Sequence, residues 1–229
     1  MKLRTLLLSF LVVVGFCACK QQLQKEVILK TEDGNPKLVY HVAEKDGKKE
    51  RVKEELFYDN GKVQYVGEFK DEKPFGKWKF YFEDGKLFAE GIFEGSEYGK
   101  DWKFYRNDGK QLHPKGVPEI QAFSNMNAPT MVSFKEGDEQ YEYLFYPDFK
   151  TKALGKTING KREGKWTYWF QNGNKWTEAE FVNGLQHGEQ TVYHENGQTY
   201  YKGNLENGIR VGEWSFFDEG GVLFKKETF

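Results

Sequence analysis

The chain has 229 residues, with 34 Lys and Arg against 35 Asp and Glu and a formal net charge of −1. That balance excludes the basic footprint of a nucleic-acid binder. The only two cysteines are Cys17 and Cys19, too close and too near the N-terminus to staple a domain.

Met1–Ala18 opens on Lys2 and Arg4, runs apolar from Leu6 to Val14 and closes through Gly15 and Ala18 on Cys19. A basic start, a short apolar centre and small residues at the end predict a secretory signal peptide. The run is too short to cross a bilayer as a mature helix. Its end resembles the lipobox of bacterial lipoproteins, with Ala18 before Cys19. The resemblance implies cleavage before Cys19, acylation of Cys19, and a membrane-anchored place in the cell envelope on the periplasmic or outer-membrane side. Cleavage would remove Cys17, and acylation would consume Cys19, leaving a domain with no thiol and no disulfide. Residues 19–26 are polar and read as a tether.

Residues 27–110 read as an N-terminal cap followed by three repeats. Val27–Lys30 and Lys37–Val42 alternate like strands, with Asp33-Gly34 and Asp46-Gly47 as turns. From Leu56 the pattern becomes regular, and Trp78–Gly95 is its clearest copy. Trp78, Phe80 and Phe82 share one face at period two. Asp84-Gly85 predicts a type I′ hairpin turn. Pairing outward then sets Glu83 opposite Lys86, Phe80 opposite Ala89 and Trp78 opposite Gly91, with the indole lying over the glycine. Gly61, Gly85 and Gly109 stand 24 residues apart, and so do Phe149, Gly173, Gly197 and Gly221. Trp78, Trp102, Trp166, Gln190 and Trp214 follow their markers at one fixed distance; Gly67, Gly91, Gly155, Ala179 and Gly203 follow at another. A period of this length predicts a repeat array.

The register breaks over residues 111–143. Gln111–Thr130 holds Pro114, Pro118 and Pro129 with no period, and reads as an ordered loop carrying Val117, Ile120, Phe123 and Met126. Met131–Phe134 and Gln140–Tyr146 form an extra hairpin around Glu136-Gly137-Asp138. Residues 144–229 hold repeats four to seven, with second turns at Asn159-Gly160, Asn183-Gly184 and Asn207-Gly208.

The expected fold is all-β: a single-layer antiparallel meander of about seven 24-residue β-hairpin repeats, twisted and open. Ladders of Trp, Phe and Tyr supply its core. The segments FYDNGKVQYVGEF, FYFEDGKLFAEGIF, WFQNGNKWTEAEF and YHENGQTYYKGNL resemble the MORN-repeat variant proteins, a group often labelled as toxin–antitoxin antitoxin components. That resemblance implies hairpin arrays that bind proteins or lipids, and an antitoxin-like neutraliser of a partner protein is one reading it brings.

No residue stands out as catalytic. His187 and His194 are seven apart on different strands with no carboxylate at metal-ligand spacing, and His41 and His113 stand alone. No nucleophile elbow, phosphate loop or Cys–His pair occurs. The Asp and Asn before each marker glycine are explained by turn chemistry. No cofactor or metal is expected. Trp78, Trp102, Trp166 and Trp214, with Gly61, Gly85, Gly91, Gly173 and Gly197, are expected to be structural. Tyr168, Trp169 and Trp176 depart from the pattern within one hairpin and are candidate contact residues, as are Phe123 and Met126 in the insertion. The reading is a non-enzymatic, lipid-anchored envelope protein presenting its sheet to a protein or lipid partner. A carbohydrate-binding module using exposed aromatics is the alternative.

Overall fold

A computed structural model describes residues 23–99, 101–113, 118–122 and 129–229. Cys19, Val117, Phe123 and Met126 lie outside the described residues. Eighteen strands and no helix occur among them, all joined antiparallel, so the fold is the expected all-β meander of hairpins. The meander divides at the insertion into two open sheets. The first runs from β1 (Gln24–Lys30) through β2 (Pro36–Lys45), β3 (Lys48–Phe57), β4 (Val63–Lys70) and β5 (Lys73–Tyr81) to β6 (Leu87–Glu94); β7 (Glu97–Tyr98) and β8 (Lys103–Phe104) both pair with β6. The second begins with β9 (Pro118–Ala122), β10 (Pro129–Glu136), β11 (Glu139–Phe145) and β12 (Thr151–Ile158). It continues through β13 (Lys161–Trp169), β14 (Lys175–Val182), β15 (Leu185–Tyr193), β16 (Thr199–Glu206), β17 (Ile209–Phe217) and β18 (Leu223–Thr228).

Two kinds of turn alternate. Asn159-Gly160, Asn183-Gly184 and Asn207-Gly208 have positive φ at both residues, as a type I′ turn requires. Asp84-Gly85 does not. Only Gly85 has positive φ (90°); its N–H donates to Phe82 O, and Phe82 N–H donates to Lys86 O, both at 2.8 Å. This is a three-residue loop ending in a glycine bulge, not the type I′ turn read from the sequence. Asp84 Oδ1 accepts the Lys86 N–H at 3.0 Å. Asn60, Asp108, Asp148, Asn172 and Asn196 make the same bond two residues on, which is why the slot before the marker takes Asp or Asn. The longer loop shifts pairing next to the turn: Tyr81 faces Leu87 and Phe88 is left as a bulge, so Glu83 does not pair with Lys86. Farther out the expected pairs Phe80–Ala89 and Trp78–Gly91 are present.

The tryptophans lie over glycines, but over the ones in the preceding strand. A Cβ on Gly67 would fall inside the Trp78 ring; Gly91 is covered by Trp102, Gly155 by Trp166 and Gly203 by Trp214. The expected Trp78-over-Gly91 stacking is therefore corrected. Trp78 is the backbone partner of both Gly67 and Gly91. A bulge at Gly67/Glu68 breaks the tie by freeing the Glu68 carbonyl, which accepts Trp78 Nε1–H at 3.0 Å. Trp102 and Trp166 bond Ile92 O and Lys156 O in the same way. All four rings are buried.

The two sheets meet through the turn between β11 and β12. Phe149 occupies the slot held by glycine in other repeats, keeps a positive φ of 67° and is fully buried. Its ring stacks on Phe88 (4.7 Å, 6°) and meets Phe80 edge-on at 5.6 Å. Gln64 Nε2 donates to Pro147 O at 3.0 Å and secures the same turn. Leu112, Val132 and Phe134 of the insertion are buried in this shared core, and Ile120 packs against it.

Candidate functional site

The slot that Phe88 fills recurs along the array. Each loop-and-bulge turn leaves one residue without a cross-strand partner: Phe88, Trp176, Tyr200 and Phe224 are those residues in their hairpins. Phe88 is 0% exposed because Phe145 and Phe149 cover it. Trp176, Tyr200 and Phe224 are 48%, 42% and 60% exposed. In the first sheet the same slot holds Lys37, Gln64 and the covered Phe88, whereas in the second sheet Lys152 is followed by three uncovered aromatics in successive hairpins. Single exposed apolar residues are ordinary, whereas a row of them on one face marks a contact surface.

A groove of about 320 Å³ deepens the column at Trp176. It opens where the repeat pattern fails twice in one place. Gln190 stands in the tryptophan slot, and its backbone partner Ala179 stands in the glycine slot. The indole that would cover this ground is missing. Tyr168 and Trp176 flank the groove edge-to-face at 6.2 Å, and Phe181 and Tyr201 complete its apolar wall. Arg162 lines it too, with its guanidinium 4.6 Å from the Trp166 ring centre and 5.5 Å from that of Phe181. Cation–π contact holds such a side chain flat on the sheet and leaves its edge open to an anion. The Tyr168 hydroxyl is buried without a hydrogen-bond partner, and burial pushes it above the ordinary tyrosine value. Its neighbour Trp169 points to the other face. It lines a cavity of about 550 Å³ at the joint of the sheets, with Phe149, Leu154 and Arg106. The structure therefore brings Tyr168 and Trp176 together and sets Trp169 apart.

On the open side of β14, Glu178 accepts from Lys165 (2.7 Å), Lys175 (2.9 Å) and the Tyr193 hydroxyl (2.9 Å). Partial burial works to raise its carboxyl, but the two ammonium groups and the hydroxyl outweigh it and hold the group down at about 2.

The histidines are dispersed. His194 Nε2 lies 3.0 Å from Phe217 O, His113 stacks on Phe134, His41 is 3.1 Å from the Glu55 carboxylate, and His187 is exposed. Among the described residues no group of three or more His, Cys, Asp and Glu is placed to hold a metal. The buried Glu54 is closed off by Arg51 and the Tyr65 hydroxyl rather than aimed at a cavity. Sequence reasoning passed over Gln190 and Ala179 as site residues. Their signal was two exceptions to the repeat that turn out to be cross-strand partners.

Residues 52–71, 76–94, 162–183, 186–207 and 210–229 match the MORN repeat variant model, on both sides of the insertion. No curated protein matches the chain. A solved crystal structure of TcdB2-TccC3-TEV overlaps 89% of this chain at 10% identity and a TM-score of 0.26, and the chain spans 11% of that protein's length. A likeness at that level carries no argument about this chain.

Proposed function

With five segments matching, the chain is a β-rich protein of MORN-variant repeats, and we propose that it works as a non-enzymatic scaffold that holds a protein partner on its second sheet. The observation that carries this reading is the contrast between Phe88, covered within the fold, and Trp176, Tyr200 and Phe224, left open in the same slot. Aromatic anchors beside a groove, with an Arg at its rim, are the composition of energetically dominant interface residues. The scaffold is held at a membrane through acylated Cys19, in the cell envelope, and needs no cofactor.

The test is affinity capture from envelope extract with three baits: the acylated protein, Trp176→Ser and Tyr200→Ser. The expected result is one or more species held by the parent and lost from both variants. A retained set unchanged by both substitutions would overturn the reading. Exposed Tyr and Trp also favour a second reading, stacking against saccharide rings. A saccharide titration that changes the tryptophan fluorescence of the parent but not of Trp176→Ser would select that one.

A further inference from the structure

The fold contains its own example of an occupied seat. Phe149, at the tip of the tight turn between β11 and β12 of the second sheet, packs against Phe80 and Phe88 of the first. Phe80 and Phe88 belong to one hairpin, β5–β6. Their counterparts one sheet away, in β13–β14, are Tyr168 and Trp176, since each pair stands at the same distances from its turn glycine, Gly85 or Gly173. Tyr168 and Trp176 are the two residues that flank the open groove. The seat also differs in a useful way. Trp102 borders the occupied seat at 5.8 Å from Phe80, and the slot equivalent to Trp102 is Gln190 in the open one. In the open seat an amide side chain lines the ground that an indole borders in the occupied one.

We infer that the Tyr168–Trp176 seat receives an aromatic side chain carried at the tip of a tight turn of the partner protein, with an acidic residue beside it. The first half follows from the seat filled by Phe149: the same two slots, on the same face, close around one ring. A ring on a turn costs little conformational entropy to place, having two side-chain torsions and a backbone already fixed. The second half follows from Arg162. It lines the groove, sits with its guanidinium carbon 4.6, 5.7 and 5.5 Å from the Trp166, Tyr168 and Phe181 ring centres, and has no carboxylate partner among the described residues. A guanidinium held on rings and open at one edge is a ready donor to a carboxylate. The turn that fills the first seat has this chemistry, with Asp148 preceding Phe149.

This inference rests on the scaffold reading and names what the scaffold grips. It is tested with a peptide copying Tyr146–Lys150, cyclised through added terminal cysteines and fluorescently labelled, titrated onto the full chain and followed by polarisation. The control peptide carries Ala in place of the Phe. The expected result is saturable binding of the Phe peptide, at least about tenfold weaker binding of the Ala peptide, and a similar loss for the Phe peptide on Trp176→Ser. Arg162→Gln should weaken it by about tenfold as well, with a salt dependence that the variant lacks. Binding that ignores Trp176→Ser would mean that the peptide invades the joint in place of Phe149, and it would overturn the inference. So would no binding at all. The two readings fail separately. If partner capture depends on Trp176 while the peptide neither binds nor competes, the scaffold stands and the turn-borne aromatic falls. If capture ignores the whole column, the scaffold falls first.

Discussion

Phe149 lies flat on Phe88, with ring centres 4.7 Å apart and planes within 6°, although the two belong to different sheets. The contact joins two open arrays into one core. It also explains why one marker in a glycine series is a phenylalanine. At a φ of 67° glycine is the easy choice, and a side chain there costs about 1–2 kcal/mol. Phe149 accepts that cost because its ring fills the joint. Phe149→Gly relieves the strain but empties a fully buried site, whose loss costs about 3–5 kcal/mol. The net expectation is a destabilisation of about 1–4 kcal/mol in urea unfolding. A variant as stable as the parent would show that the ring is no plug.

The lean of the tryptophans gives a second test. Gly67→Ala pushes a methyl group into the Trp78 ring and should cost about 1–3 kcal/mol. In a Trp78→Leu background the same change should be close to neutral, because the overlap is gone and alanine suits a strand better than glycine. Gly91→Ala should remain costly in that background, since Trp102 covers Gly91. If Trp78→Leu instead rescues Gly91→Ala, the indoles lean the other way.

Much of this was legible in the chain. The 24-residue period, the Asx-Gly turns and the pairs Trp78–Gly91 and Phe80–Ala89 could be read because turn chemistry and strand alternation are local. The lean of Trp78 could not. Its backbone faces a glycine on either side, and only a bulge that frees the Glu68 carbonyl decides between them. The Asp84-Gly85 turn was misread because a type I′ turn and a three-residue loop with a glycine bulge both end on a left-handed glycine. Phe149 was visible as an exception, yet its destination lies some sixty residues back in the chain, at Phe88, where no periodicity reaches. The groove was written in Ala179 and Gln190, but two exceptions become one site only when the register pairs them.

Glu178 predicts a pH dependence. Its carboxyl is held at about 2 in the fold, below the ordinary 4.5. A group with a depressed folded value contributes stability above its unfolded value and loses it as pH falls through the folded one. The contribution is thus full at pH 7 and declines from about pH 4.5 toward 2. Glu178→Gln should lower the melting temperature at pH 7, and the gap to the parent should narrow at pH 3. A gap that stays constant would mean that the Lys165 and Lys175 contacts add nothing to the folded state, as exposed ion pairs often do.

The anchor is tested by Cys19→Ser. One residue bearing more than one acyl chain holds a domain at a bilayer stably, whereas a polar tether does not. The parent should sediment with membranes in high salt, and the variant should move to the soluble fraction. A variant that still sediments would remove the acyl anchor from the proposal.

Restoring the repeat where it fails tests the groove itself. In four places an indole lies over a glycine with no room for a Cβ. In the fifth, Gln190 faces Ala179. The two exceptions should therefore be coupled in energy. Gln190→Trp alone sets an indole against the Ala179 methyl and should cost about 1–3 kcal/mol by overpacking. Ala179→Gly alone removes a buried methyl from a strand and should cost about 1 kcal/mol. Together they rebuild the arrangement seen at Gly155 and Trp166, bury a large ring and close the floor of the groove. The double variant should be at least as stable as the parent, so the measured coupling should be favourable and at least as large as the two single costs added together. It should also lose whatever the groove holds, while Tyr200 and Phe224 stay exposed. A double variant less stable than either single one would mean that Gln190 and Ala179 are unrelated exceptions, and the groove would then be an accident of packing rather than a feature of the surface.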